Sequence, residues 1–254
     1  MRHCLLCQFF LALFLNHVSA QNEAKQGFGI ANLNELLATT STLDTSAEAE
    51  VLIDKEQIMF VVEKDYMIKT VYHGKVKILK KSGLDRGTIK LACEVDGIDK
   101  EFINNIIGYT HNIENGQMVT NKWTEAAVYH EKLSDDVAIT KIIVPNLKVG
   151  SVFEFKYTRN TPFSVSMRPN NWSFQGSVPY RWSEVIAYIP AWFFYQTHYS
   201  GFLPLAINEI RDTTLFFDER FLPGVVCRYA IKDAPTIKDE EYTPSRRDCM
   251  ANLE

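Results

Sequence analysis

Short runs of β-branched and aromatic residues, recurring at intervals of about ten residues, narrow the fold of this chain more than any other feature. From Glu48 onward they read AEVLID, QIMFVVE, YMIKTVYHGKVKIL, TIKLACEV, NNIIGYTHNI, AVYHEKL and VAITKIIV. Each run is bounded by Gly, Asn, Asp or Lys rather than by helix caps, which favours antiparallel sheets over alternating βαβ units. Turn chemistry agrees. Asn115-Gly116 separates two such runs, and both residue types tolerate the positive φ of a type I′ turn, so residues 105–123 are predicted to form a hairpin.

The segment NLKVGSVFEFKYTRN, residues 146–160, follows a proline that removes a backbone donor (Pro145) and turns at Gly150. Alternation then sets Phe153, Phe155 and Tyr157 on one side and Val152, Glu154 and Lys156 on the other. The prediction is a strand with its three rings in the core and one wet face. RWSEVIAYIP (181–190) reads as a strand ended by proline, and VVCRYAIKD (225–233) as another. The intervening LAINEIRDTTLFFDERFLPG gives no clear pattern. The expected fold is all-β, a mainly antiparallel β-sandwich-like domain over 47–235 with one or two short helices.

Residues 1–20 have the layout of a signal peptide: Arg2, the apolar run CLLCQFFLALFL and a small-residue site ending at Ala20. That run is too short for a bilayer core, which needs roughly 20 residues, so an exported chain that does not span the membrane is expected, periplasmic or extracellular. Loss of Arg2 leaves 26 basic residues against 31 acidic ones, a net charge of −5. No basic stripe is present to contact phosphates, and nucleic acid is not an expected partner. Residues 21–46 read as an N-terminal extension in which Asn32 and Glu35 have capping-box spacing ahead of a short helix.

Candidate chemistry is sparse. Cys93 and Cys227 sit inside strand patterns, where a small buried thiol is the ordinary reading. Cys249, beside Arg246 and Arg247, has no downstream base to activate it. His73, His111, His130 and His198 form neither H-x-H nor H-E-x-x-H spacing, so neither a metal nor another cofactor is expected. Asp135-Asp136 and Glu240-Glu241 fit solvated loops, and Asn171 heads a glycosylation sequon. Trp172, Trp182 and Trp192 recur every ten residues among other rings. They fit either a sandwich core or a platform for sugars, and are the candidate ligand-binding residues.

The order of segments carries a resemblance. GFGIANLNELLATTSTLDTSAEAEVLID, VYHGKVKILKKSG, HNIENGQMVTNKW, VYHEKLSDD, VPNLKVGSVFEFKYTRNTPF, WSFQGSVPYRWSEVIAYIP and APTIKDEEYTPS follow one another over residues 27–254. This resembles the domains of unknown function that precede a transglutaminase-like domain in exported proteins of Gram-negative bacteria, chiefly Bacteroidetes; Val144–Pro190 is the most specific block. The resemblance implies a β-sandwich module without catalysis of its own, which binds or positions a protein or glycan for a transglutaminase-like partner. It implies that residues 236–254 are a linker and the start of a truncated C-terminal region, with the catalytic cysteine, histidine and aspartate in a following domain; that role does not pass to Cys249. A free-standing carbohydrate-binding module is the alternative, and a thiol enzyme a weaker one. An unpaired sheet edge left by truncation would favour self-association.

Overall fold

The computed structural model describes residues 27–95, 100–163, 169, 171–193, 195–237 and 250–254. The signal-peptide segment, Cys249 and Glu240-Glu241 lie outside the described residues. Residues Ala31–Glu254 form one compact unit. Its main sheet has eight strands: β1 (Ala49–Val62), β2 (Tyr66–Ile78), β4 (Phe102–Glu114), β5 (Gln117–Lys122), β8 (Val152–Pro162), β10 (Tyr180–Pro190), β12 (Ile207–Phe217) and β13 (Arg220–Ala234). They are arranged β12-β13-β10-β1-β2-β8-β4-β5. Every neighbouring pair is antiparallel except β1 and β10, which run parallel. A second sheet joins β3 (Thr88–Glu94), β7 (Val137–Ile143) and β6 (Val128–Lys132). A third joins β11 (Tyr199–Ser200), β14 (Asn252–Leu253) and β9 (Trp172–Ser173). Among the described residues no helix is long and apolar enough to cross a membrane.

The expected all-β, mainly antiparallel, sandwich-like fold is what forms. The predicted hairpin is β4–β5, with Asn115 at φ 50° and Gly116 at φ 78° as the type I′ turn requires. The stretch without a clear pattern is a second tight hairpin, β12–β13, turning on Asp218 (φ 51°) and Glu219 (φ 60°). Glutamate rarely takes this left-handed conformation, and that hides the turn in the sequence.

Register puts Ile58, Phe60, Ile68, Val76, Phe153, Phe155, Val185, Cys227 and Tyr229 on one face of the main sheet, here the front. Both small sheets pack on that face and make two cores. Trp172, Phe174 and Ala251 from the third sheet and its flanks close over Ile58, Phe60, Val185 and Tyr229. Leu91, Ile142 and Val144 close over Val51, Val76, Phe153 and Phe155. Tyr72 and Tyr180 touch both cores. Two glycines let rings lie flat on the sheet: a Cβ at Gly74 would come within 2.7 Å of Phe155, and one at Gly108 within 2.1 Å of Trp123.

The back face corrects the expectation of a wet side. Val152 and Glu154 are fully covered, as are Lys75 and Lys77 on β2. Helix α1 (Leu33–Leu37), begun by the predicted Asn32–Glu35 capping box, lies over them. Leu36 packs with Val152, Glu35 meets Lys75 at 2.7 Å, and Lys77 Nζ donates to the carbonyls of Leu36 (2.7 Å) and Gly150 (2.6 Å). Part of the N-terminal extension is thus a lid on the main sheet. A buried polar face is tolerated because each charge finds a partner.

Candidate functional site

β1 is the strand that organises the front face. In the run Asp54-Lys55-Glu56-Gln57-Ile58-Met59-Phe60, alternation sends Asp54, Glu56, Ile58 and Phe60 forward together. The last two floor a cavity of about 580 Å³ between the main sheet and the third sheet. Val185, Ala187 and Ile189 of β10 and Cys227 and Tyr229 of β13 complete the floor. Asn171 and Trp172, Tyr195 to Thr197, and Leu253 and Glu254 form the walls. Two backbone hydrogen bonds between His198 and Glu254 (2.8 and 2.9 Å) tie those walls together, and Thr197 Oγ1 pairs with the Tyr229 hydroxyl at 2.9 Å. Inside is mostly aliphatic; the polar groups stand at the rim. Such a space fits an apolar group presented by a polar scaffold.

Beside this floor lies a buried acid. The Tyr72 hydroxyl donates to Asp54 Oδ1 at 2.6 Å, and Ser183 Oγ donates to Oδ2 at 3.1 Å while accepting the indole N–H of Trp172 at 3.1 Å. Burial pushes the Asp54 carboxyl up to about 6, and the two hydrogen bonds only moderate the rise. Half-buried Glu56 is pushed up to about 7, by burial first and the charge of Asp54 second, with Arg159 opposing. Arg159 itself is held by Glu101 (3.2 Å) and the carbonyl of Ala92 (2.7 Å). Burial also drives the Tyr72, Tyr157 and Tyr180 hydroxyls well above the usual phenol range. These are proton-retaining groups. The signal for them was in the sequence: two carboxylates in phase with the apolar residues of a strand.

The ten-residue spacing of tryptophans does not assemble one platform. Trp172 is 8% exposed and walls the cavity, with its N–H already used on Ser183. Trp182 points to the back face, where its N–H donates to Glu184 Oε2 at 3.0 Å. Trp192 lies beyond the end of β10, edge-on to Phe217, with the Arg220 guanidinium 4.7 Å from its ring centre. Of the three, Trp172 alone lines the cavity described above. Cys93 and Cys227 are buried as expected, and burial raises both thiols, the wrong direction for a nucleophile at neutral pH. Asp135 and Asp136 are exposed loop residues. Among the described residues no group of three or more His, Cys, Asp or Glu is arranged to hold a metal ion.

No protein-family model matches the chain, and no curated protein does. Among solved structures, the chain is similar to a candidate protease from Parabacteroides distasonis, with a TM-score of 0.62 and 15% identity over 81% of this chain. An M1 zinc metallopeptidase from Deinococcus radiodurans also matches, at a TM-score of 0.37 and 10% identity over 81% of this chain, too distant to carry an argument. The chain spans 39% and 42% of those two structures. What the first likeness shows is the fold: this β-sheet arrangement recurs as a minor part of a longer protein.

Proposed function

We propose that this chain is a non-catalytic, exported binding module, the N-terminal part of a transglutaminase-like-domain protein, and that it holds a segment of a protein partner in the cavity between the main and third sheets. The observation that carries this reading is the cavity itself, whose floor of Ile58, Phe60, Val185, Ala187 and Ile189 suits an apolar side chain and whose rim of Asn171, Gln196 and Thr197 suits a peptide backbone. A glycan is the weaker ligand. Sugars need an exposed ring face and a dense set of hydrogen-bonding groups, whereas Trp172 is covered and its N–H is spent. The segment order described above and the chain's share of its longer structural neighbour both fit a module that serves another domain.

The test is selection from a random peptide display library, followed by calorimetry. Enrichment of sequences with one large apolar anchor is expected, with binding lost in Ala187→Trp, which fills the floor. A chain that binds glycans on an array and no peptide would overturn the reading in favour of a carbohydrate module. Turnover of an acyl or amide substrate would overturn its non-catalytic part.

A further inference from the structure

The outer edge of β12 is open along its length: among the described residues its backbone pairs only with β13. Which groups face outward follows from the turn. In a two-residue hairpin the flanking residues, here Phe217 and Arg220, are a hydrogen-bonded pair, and the pattern alternates from there. The odd-numbered residues of β12 therefore bond to β13, and Asn208, Ile210, Asp212, Thr214 and Phe216 turn their N–H and C=O groups away from it. Pro223 confirms the phase. It stands opposite Thr214, and its carbonyl accepts from Ala191 N on the far side of β13 at 2.9 Å.

An open edge of this kind pairs with another chain unless its side chains forbid it. β12 carries Glu209, Arg211 and Asp212, which disfavour the self-pairings centred on those residues. Centring an antiparallel pair of β12 strands on residue 209, 211 or 212 sets Glu against Glu, Arg against Arg or Asp against Asp, and like charges directly opposite are unfavourable. Centring on Ile210 does the reverse. Ile210 faces Ile210 as a hydrogen-bonded pair with its outward backbone groups, Asn208 meets Asp212, and Glu209 meets Arg211 twice, in the non-hydrogen-bonded positions where side chains lie closest. The groups are available: Ile210 is 60% exposed, and the Arg211 and Glu209 side chains, 3.8 Å apart in one chain, are 68% and 45% exposed.

We infer that β12 pairs antiparallel with the β12 of a second copy of this chain about a two-fold axis at Ile210, joining two eight-stranded sheets into one. If the same charges served only to blunt the edge against every partner, the protein would stay monomeric and charge reversal would change nothing. The experiment is sedimentation equilibrium of the purified protein up to about 500 µM at low ionic strength, since association follows mass action. A concentration-dependent dimer is expected. Arg211→Glu, which sets Glu against Glu twice, should raise its dissociation constant at least about tenfold, and Glu209→Arg/Arg211→Glu should restore it to within about threefold. Thermal unfolding of these surface variants checks that the fold is unchanged. In a Cys249→Ser background, Ile210→Cys should cross-link through a short bis-maleimide, because its Cα lies about 5.5 Å from its counterpart. Asp212→Cys should not, at roughly 14 Å. A monomer at every concentration, a dimer indifferent to the charge reversal, or cross-linking through Asp212→Cys in place of Ile210→Cys would overturn the inference.

Discussion

Asp54 and Glu184 are both buried carboxylates, 7% and 2% exposed, on the two parallel neighbours β1 and β10, yet burial acts on them with opposite results. Asp54 faces the apolar front, where its partners are the neutral hydroxyls of Tyr72 and Ser183, and its pKa rises to about 6. Glu184 faces the back. Burial works to raise it too, but hydrogen bonds from Trp182 and Arg228 and the nearby Lys55 outweigh that and hold it below the usual range. Arg228 Nε approaches at 2.6 Å and Lys55 Nζ at 3.1 Å. The lesson is that depth alone does not set the charge of a buried acid; what decides is whether the covering face supplies cations. The front face raises its two acids toward neutral pH, and the back face holds Glu184 below the usual range inside a charge lattice.

The comparison breaks most severely if Glu184 loses its charge. Glu184→Gln leaves Arg228 and Lys55 uncompensated, and destabilisation of about 2–3 kcal/mol at pH 7 is expected, below the range for a fully buried pair because both cations are partly exposed. Urea denaturation at pH 7 measures it, and a loss under about 0.5 kcal/mol would show that the lattice is solvated.

The pH profile sharpens the same contrast. Asp54 and Glu56 have folded pKa values raised above their unfolded ones, so their contribution is complete below about 4 and is lost as pH rises through about 6 and about 7. Glu184, lowered, contributes above its unfolded value of 4.5 and loses that contribution on acidification. Stability should therefore peak near pH 4 and fall by on the order of 4 kcal/mol between pH 5 and 8, about 1.4 kcal/mol for each unit by which the two raised values exceed 5. In the Asp54→Asn/Glu56→Gln variant the fall between pH 5 and 8 should vanish, which denaturation across that range reads directly. A wild-type curve flat from pH 5 to 8 would remove the assigned proton-retaining character.

The smallest expected effect separates the hydroxyl from the ring. Tyr72→Phe keeps the stacking on Tyr157 (centroids 5.1 Å apart) but removes a donor to Asp54. A cost of about 1 kcal/mol at pH 8, shrinking at pH 5 where Asp54 is protonated, is expected from the loss of a bond to a charged acceptor. An equal cost at both pH values would mean that the hydroxyl serves packing instead.

Much of the front face could be read before any coordinates. Alternation alone put Phe153, Phe155 and Tyr157 together, Asn115-Gly116 announced its hairpin, and Asn32 with Glu35 announced α1. The same rule assigns Glu154 and Lys156 correctly to the other face but leaves Glu154 in water, since nothing near residue 154 says that α1, more than a hundred residues earlier, lies above it. The β12–β13 hairpin was obscured by Glu219 at a left-handed position, where the neighbouring strands hold a conformation that the residue itself disfavours. The cavity was out of reach for a related reason. Its floor and walls come from β1, β9, β10, β13 and β14, and of the three evenly spaced tryptophans only Trp172 lines it.

By itself the sequence determined which side chains share a face, because a strand's two-residue period is a local property of the backbone. Only the tertiary structure decided which faces are dry, which acids keep their protons and where a cavity opens. Those outcomes depend on segments far apart in the chain meeting across the sheet, and the energy of a buried charge is set by the partners it meets there, not by its neighbours in sequence.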